Sequence, residues 1–446
     1  MPNGNKPENE ASVALKLGRH VAELDATQFD ASTKDAVFRC VLDAIASAAA
    51  GLGQPGVMAA RAVAPLLYGS GNVPLWFGGG TGSLGAAMLA NSTAAAALDL
   101  DDGYRMARGH PGAAVIPAAL ALVPGLPNVF VDDFVAAVVA GYDVGVRLAA
   151  ARSTYAPSGA WSGFAVVATA GRMLGVDAEV IAQALAITAQ TAPALPALAG
   201  IAGSDVKEGI PAGVIAGWSA LQLAMAGFTG PVAVLEDMRL FDPQTLLRDL
   251  GGTPLVGGTY FKPFGCCRHI HAPLEALLHL QTLHGLAAED IAGIEVLTYQ
   301  ATFNLSNKPR PTTLVEAQYS VPYCVALCLL HGTDALVPLD VEHLDDLRVG
   351  ELAERVTMAH DISIESHFPK RSPARVAVTL VSGQRLESPL MDPRGDPDRP
   401  LSTAELEHKL RIATRNTLSP IVQNAVLEGI AALRVGEWEP LLSALR

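Results

Sequence analysis

Charge is scarce in this chain, and positive charge is scarcest: Asp, Glu, Lys and Arg make up 17% of 446 residues, with 31 basic side chains against 44 acidic ones. A surplus of 13 carboxylates repels phosphate, and the basic residues are scattered, which argues against general binding to nucleic acid or to an anionic membrane. Any anionic substrate must therefore find a local basic pocket. Cysteine is sparse too. Cys40, Cys266, Cys267, Cys324 and Cys328 are odd in number and lack the paired-knuckle spacing of a zinc ribbon, which favours free thiols in a reducing cytoplasm. A basic-then-apolar leader is missing, so the polar start MPNGNKPENE reads as a frayed tail and not as an export signal. No internal repeat or disordered low-complexity tract is visible.

What is present is apolar. Half of the residues are hydrophobic, and the length suggests two or three domains with ample core. Two uncharged stretches, 180–204 and 209–235, would pass a hydropathy scan for membrane spans. Gln183, Gln190, Pro193 and Pro196 interrupt the first, and Gly213, Gly217 and Gln222 thin the second, so buried helices are the expectation. From residue 11 to about 235 the sequence is rich in Ala, Leu and Val at helical spacing, cut by Gly53-Gln54-Pro55-Gly56 and Pro124-Gly125-Leu126-Pro127. Near Gly251 the texture changes. Residues 294–299, 361–366 and 375–381 carry β-branched side chains at strand spacing, with helical stretches at 273–283 and 322–330. MDPRGDPDRP (391–400) resembles a linker, and Ser402-Thr403-Ala404-Glu405 is a helix-capping signal. The expected fold is mainly α: a large all-α helical domain from 11–255 and 398–446, and a smaller α+β domain from 256–397.

Four motifs carry chemistry-bearing side chains. Gly80-Thr81-Gly82-Ser83-Leu84-Gly85 matches the dinucleotide pattern GxGxxG, yet the following segment stays helical with no second strand, so a turn before a buried helix is the better reading. Asp99-Leu100-Asp101-Asp102 closes that helix and His110-Pro111-Gly112 opens the next; the carboxylates either cap the following turn or form an acid/base pair with His110 in a cleft. A metal is not expected, because no second compact His/Glu cluster accompanies them. Lys207 precedes a long uncharged helix, where desolvation would make it a usable base, unless it is a surface lysine paired with Asp205 or Glu208. Residues 262–271, KPFGCCRHIH, concentrate Lys262, Arg268, Cys266, Cys267, His269 and His271, and an anion or proton-transfer pocket is preferred there over a metal site.

Three of these segments together, ALDLDDGYRMARGHPGAAVIPAALAL (97–122), VKEGIPAGVIAGWSALQLAMAGFTGP (206–231) and KPFGCCRHIHAPLEAL (262–277), with YSVPY (319–323), resemble the MmgE/PrpD family. That family includes 2-methylcitrate dehydratases, cis-aconitate decarboxylases and an iminodisuccinate epimerase. The resemblance implies an all-α domain built from both chain ends, a smaller α+β lid domain, a homodimer and chemistry without metal or cofactor. By position, the family's acid, histidine, lysine pair and tyrosine correspond to Asp99, His110, Lys207, Lys262 and Tyr323. Two departures stand out: Ala156, in Thr154-Tyr155-Ala156-Pro157-Ser158-Gly159, and Cys267 replace histidines of the dehydratase and decarboxylase members. Fewer imidazoles leave epimerisation, which moves only one proton, as the expected activity. The expectation is thus a cytoplasmic, cofactor-independent epimerase of an imino- or amino-dicarboxylate such as iminodisuccinate. Lys207, His110, Cys267 and Tyr323 would be its catalytic groups, and Asp99, Tyr155, Lys262 and His271 would bind substrate. A 2-methylcitrate dehydratase-like lyase and a non-catalytic carboxylate-binding protein are the alternatives.

Overall fold

A computed structural model describes residues 11–194 and 204–446; the expected frayed tail and Pro196 lie outside the described residues. The protein is mostly helical. Local sequence explains the helix starts. Asp30 accepts from the Thr33 amide ahead of helix Ala31–Gly51, Ser83 caps Leu84–Ala96 through the Ala86 amide, and Ser402 with Glu405 forms a capping box on Thr403–Ala413. The glycines of the 80–85 motif lead into the capped helix from a short antiparallel strand pair, Val73–Pro74 with Thr81–Gly82, and not from a βαβ unit.

Helix Val131–Ala151 packs against Gly159–Met173, which in turn packs on Ile210–Met225. The last pair approaches so closely that a Cβ on Gly217 would lie 2.1 Å from the Gly163 carbonyl oxygen. Glycine in this uncharged run therefore serves helix contact inside the bundle. Val131–Ala151 is the one described single helix long and apolar enough to cross a membrane, and 89% of its apolar window is buried against other helices.

Two apolar cores are distinct. The larger draws on residues from Val13 to Phe261 and again from Leu401 to Leu445; the smaller draws mainly on Phe264 to Leu386. In the second lies a four-stranded sheet in the order Val356–His360, Ile291–Thr298, Arg375–Leu380, Arg385–Glu387. Its long strand runs parallel to the first neighbour, pairing Ile294 with Val356, and antiparallel to the third, pairing Ile294 with Val378. Helices Arg268–His284 and Val321–His331 belong to the same core.

Two readings of the sequence need correction here. Residues 361–366 are not a strand: Asp361 accepts from the Ser363 amide and starts a short helix, Ile362–Glu365, just after strand Val356–His360. Residues 391–400 are more than a linker. Met391 bridges to Ala374, Arg394 pairs with Glu275 and Glu405, and Gly395 accepts from the Phe261 amide. Gly395 has φ 97°, and a Cβ there would come within 1.9 Å of the Phe261 carbonyl oxygen, so glycine is required to bring Asp396 to its place.

Candidate active site

Three distant segments converge on Asp99. The helix Leu84–Ala96 ends just before it, and Asp99 itself adopts a left-handed backbone with φ 53°. Its Oδ1 lies 2.9 Å from Lys207 Nζ, and its Oδ2 lies 2.9 Å from Lys262 Nζ. Lys207 comes from the loop before helix Ile210–Met225, and Lys262 follows the strand pair Gly103–Tyr104 with Thr259–Tyr260. All three are buried. Burial alone would raise the Asp99 carboxyl, but the two ammoniums and His110 hold it far below the ordinary carboxylate range. Lys262 is affected the other way: Asp99 and Asp101 outweigh its desolvation and keep it firmly protonated.

His110 stands beside this triad. Its Nδ1 is 2.7 Å from the Asp102 carbonyl oxygen, so Nδ1–H donates there. Nε2 then faces Asp99 Oδ1 at 3.5 Å and Glu208 Oε1 at 3.8 Å. The Ser158 hydroxyl oxygen accepts from the His110 amide, and the same side chain donates to Glu208 Oε2. Burial would push the imidazole down; the field of Asp101, Glu208 and Asp99 overcomes it and holds His110 above its ordinary value, against the opposing charge of Lys262. Of the neighbouring acids, Asp102 caps helix Gly112–Leu122 by accepting from the Gly112 amide, whereas no hydrogen-bond donor among the described residues reaches either oxygen of Asp101.

Asp99 and His110 open onto a cavity of about 470 Å³. Three guanidiniums line it, those of Arg105, Arg108 and Arg268, together with Tyr155, Tyr319, Cys267 and His269. Arg105 grips Asp396 through Nε at 3.1 Å and Nη2 at 2.5 Å, and Arg268 Nη2 reaches the same carboxylate at 3.0 Å. One carboxylate thus answers two guanidiniums, and Arg108 lies over the Tyr155 ring. Tyr319 oxygen accepts from Lys207 Nζ at 2.6 Å, so its own proton is free for the cavity. Burial and Asp99 push the Cys267 thiol up to about 12, while burial and Arg105 lower His269 to about 4. At neutral pH the thiol stays protonated and that imidazole stays neutral.

Residues 15–248 match the MmgE/PrpD N-terminal domain, and residues 264–433 match the MmgE/PrpD C-terminal domain. The chain belongs to the MmgE/PrpD family. It is similar to two cis-aconitate decarboxylase sequences of Aspergillus terreus, one from strain NIH 2624 / FGSC A1156; each is 25% identical over 400 residues, spanning 81% of this chain and 81% of the relative. MmgE/PrpD proteins are enzymes, and this member has the cavity and charged groups of one.

Within this MmgE/PrpD chain the expected residues fall into two groups. Asp99, His110, Tyr155 and Cys267 line the cavity, and Lys207 and Lys262 stand directly behind Asp99. Lys207 is not in the apolar surroundings its sequence context suggests, because Asp99 and Tyr319 engage its ammonium. Tyr323 and His271 do not reach the cavity. Tyr323 lies in helix Val321–His331 and packs in the smaller core, so the tyrosine of the YSVPY motif that meets the site is Tyr319. His271 is wedged between Arg268 Nη1 and the Cys266 carbonyl, and burial together with Arg268 keeps it neutral. Sequence reasoning missed Arg105, Arg108, Glu208, Tyr319 and Asp396. Arg105 and Arg108 carried a signal, as two cations in a charge-poor segment between the acids and His110. Asp396, inside a proline-rich run, carried none.

Asp99, Asp101 and His110 also hold atoms close enough together to bind a metal ion. The donor set does not fit one. Each oxygen of Asp99 already faces an ammonium at 2.9 Å, so a divalent cation there would meet two positive charges.

Proposed function

We propose that this protein is a cofactor-independent epimerase that exchanges the proton α to a carboxylate of a small imino- or amino-polycarboxylate such as iminodisuccinate. The observation that carries the reading is the placement of His110: its Nε2 lies between Asp99 and Glu208 at the wall of a cavity that three guanidiniums and several phenols also line. The α C–H bond breaks, its proton passes to Nε2, and its electron pair spreads into the adjacent carboxylate as an enediolate. The arginines, with Lys207 and Lys262 behind Asp99, stabilise that charge. The Tyr319 phenol, bonded from behind by Lys207, gives its proton to the other face, after which solvent reprotonates the phenolate and takes the proton from His110. No leaving group has to be protonated, which suits a site with Ala156 and Cys267 in place of imidazoles.

A second reading is favoured by the similarity to cis-aconitate decarboxylase. A lyase would use the same anion pocket but would cleave a C–C or C–O bond and give an unsaturated product. Incubation in deuterium oxide separates the two. Epimerisation places one deuterium on the α-carbon as the stereocentre inverts, and inversion without label overturns the proposal. A new near-ultraviolet absorbance selects the lyase.

A further inference from the structure

Beyond its field on His110, Glu208 has no part in the proton transfers above, yet its side chain is 8% exposed and lines the cavity. It follows Lys207 in sequence, and a merely structural glutamate would pair with that lysine. Instead Lys207 turns to Asp99 and Tyr319. Glu208 Oε2 is held by the amide and hydroxyl of Ser158, and its backbone carbonyl accepts from the Gly159 amide. Oε1 is left towards His110 Nε2 at 3.8 Å, the one cation-capable group within 4 Å of Glu208 among the described residues. The backbone is held at φ 49°, a left-handed conformation that a glutamate adopts only when its surroundings impose it. This is a carboxylate fixed at one oxygen and open at the other, beside the proton-transfer group, in a cavity that three arginines also line.

Resting on the epimerase reading, we propose that Glu208 recognises a protonated nitrogen on the α-carbon of the substrate, making the ligand class a zwitterion: an amino-polycarboxylate, not one that lacks nitrogen. The arginines take the carboxylates, and Oε1 accepts an N–H while the α-proton beside it goes to His110. A fully anionic ligand would gain the arginines but suffer repulsion from Glu208.

Calorimetric titration of wild type and Glu208→Gln with iminodisuccinate, whose secondary amine is protonated at neutral pH, and with cis-aconitate, which has no nitrogen, tests this. The substitution should weaken iminodisuccinate at least about tenfold, as for one lost charge-assisted hydrogen bond, and leave cis-aconitate unchanged or tighter. Equal weakening of both ligands, or no change in either, overturns the proposal. Tightening of cis-aconitate cannot come from misfolding. The epimerase reading fails separately: opposed binding changes in Glu208→Gln, with no deuterium incorporated by wild type, keep Glu208 in its role and lose the reaction.

Discussion

Asp99 Oδ2 and Lys262 Nζ meet at 2.9 Å with neither residue in contact with bulk water, and Lys207 occupies the other oxygen of the same carboxylate. One negative charge therefore answers two positive ones. The two ammoniums stand behind the wall of the cavity that Asp99 lines, where an enediolate would form.

Breaking that pair should be costly. Asp99→Asn removes the shared carboxylate and leaves two buried ammoniums without it, with an expected loss of about 3–5 kcal/mol. Urea unfolding measures it. Lys262→Met in the same chain should recover part of the loss, since it removes one of the two uncompensated ammoniums; a double variant less stable than Asp99→Asn would contradict this account.

His110 and Cys267 both line the cavity, but only one is poised to exchange protons near neutrality. His110→Asn should slow deuterium exchange by roughly 10²–10⁴-fold with the fold intact. Cys267→Ser should remain near wild type, because a thiol held at about 12 is not a base at pH 7. A collapse of exchange in the serine variant would return Cys267 to the mechanism.

The pieces of this site were legible in the sequence to different degrees, for physical reasons. Asp99, His110, Lys207 and Lys262 are conspicuous because charge is rare around them, and the structure brings all four together. Tyr319 and Tyr323 could not be separated by sequence. They lie one helical turn apart in spacing, and the Ser320 cap decides which precedes helix Val321–His331 and which is carried into the core. Asp396 was invisible because its role depends on a left-handed glycine and a contact with Phe261, more than a hundred residues away. Helix segments were read well from Ala-rich periodicity, whereas 361–366 was misread because a capping aspartate outweighs β-branched composition over so short a run.

Asp101 tunes His110 through space, its Oδ2 being 3.5 Å from Nδ1. Burial would lower the imidazole, and the acids reverse that shift, so the proton-accepting form is reached only above the ordinary histidine value of about 6.5. The pH profile of kcat/KM should rise on the alkaline side of that value. In Asp101→Asn the rising limb should move to lower pH, and a limb that stays in place would remove Asp101 from this role.

Asp102 makes a prediction about stability. It is buried, it accepts from the Gly112 amide and the Tyr142 hydroxyl, and burial together with Asp43 raises its carboxyl to about 7 despite those two bonds. The native state therefore keeps a proton that the unfolded chain releases near pH 4. Stability from this group is complete below that lower value and is lost as pH rises towards 7, at up to about 1.4 kcal/mol per pH unit. Asp99 has the opposite sign, but its depressed carboxyl acts below pH 4, outside this window. Asp102→Asn keeps an acceptor for the Gly112 amide and cannot ionise. Its unfolding free energy relative to wild type should accordingly improve between pH 4 and 7 and level off above. Parallel stability profiles for the two proteins across that range would show that Asp102 does not titrate there.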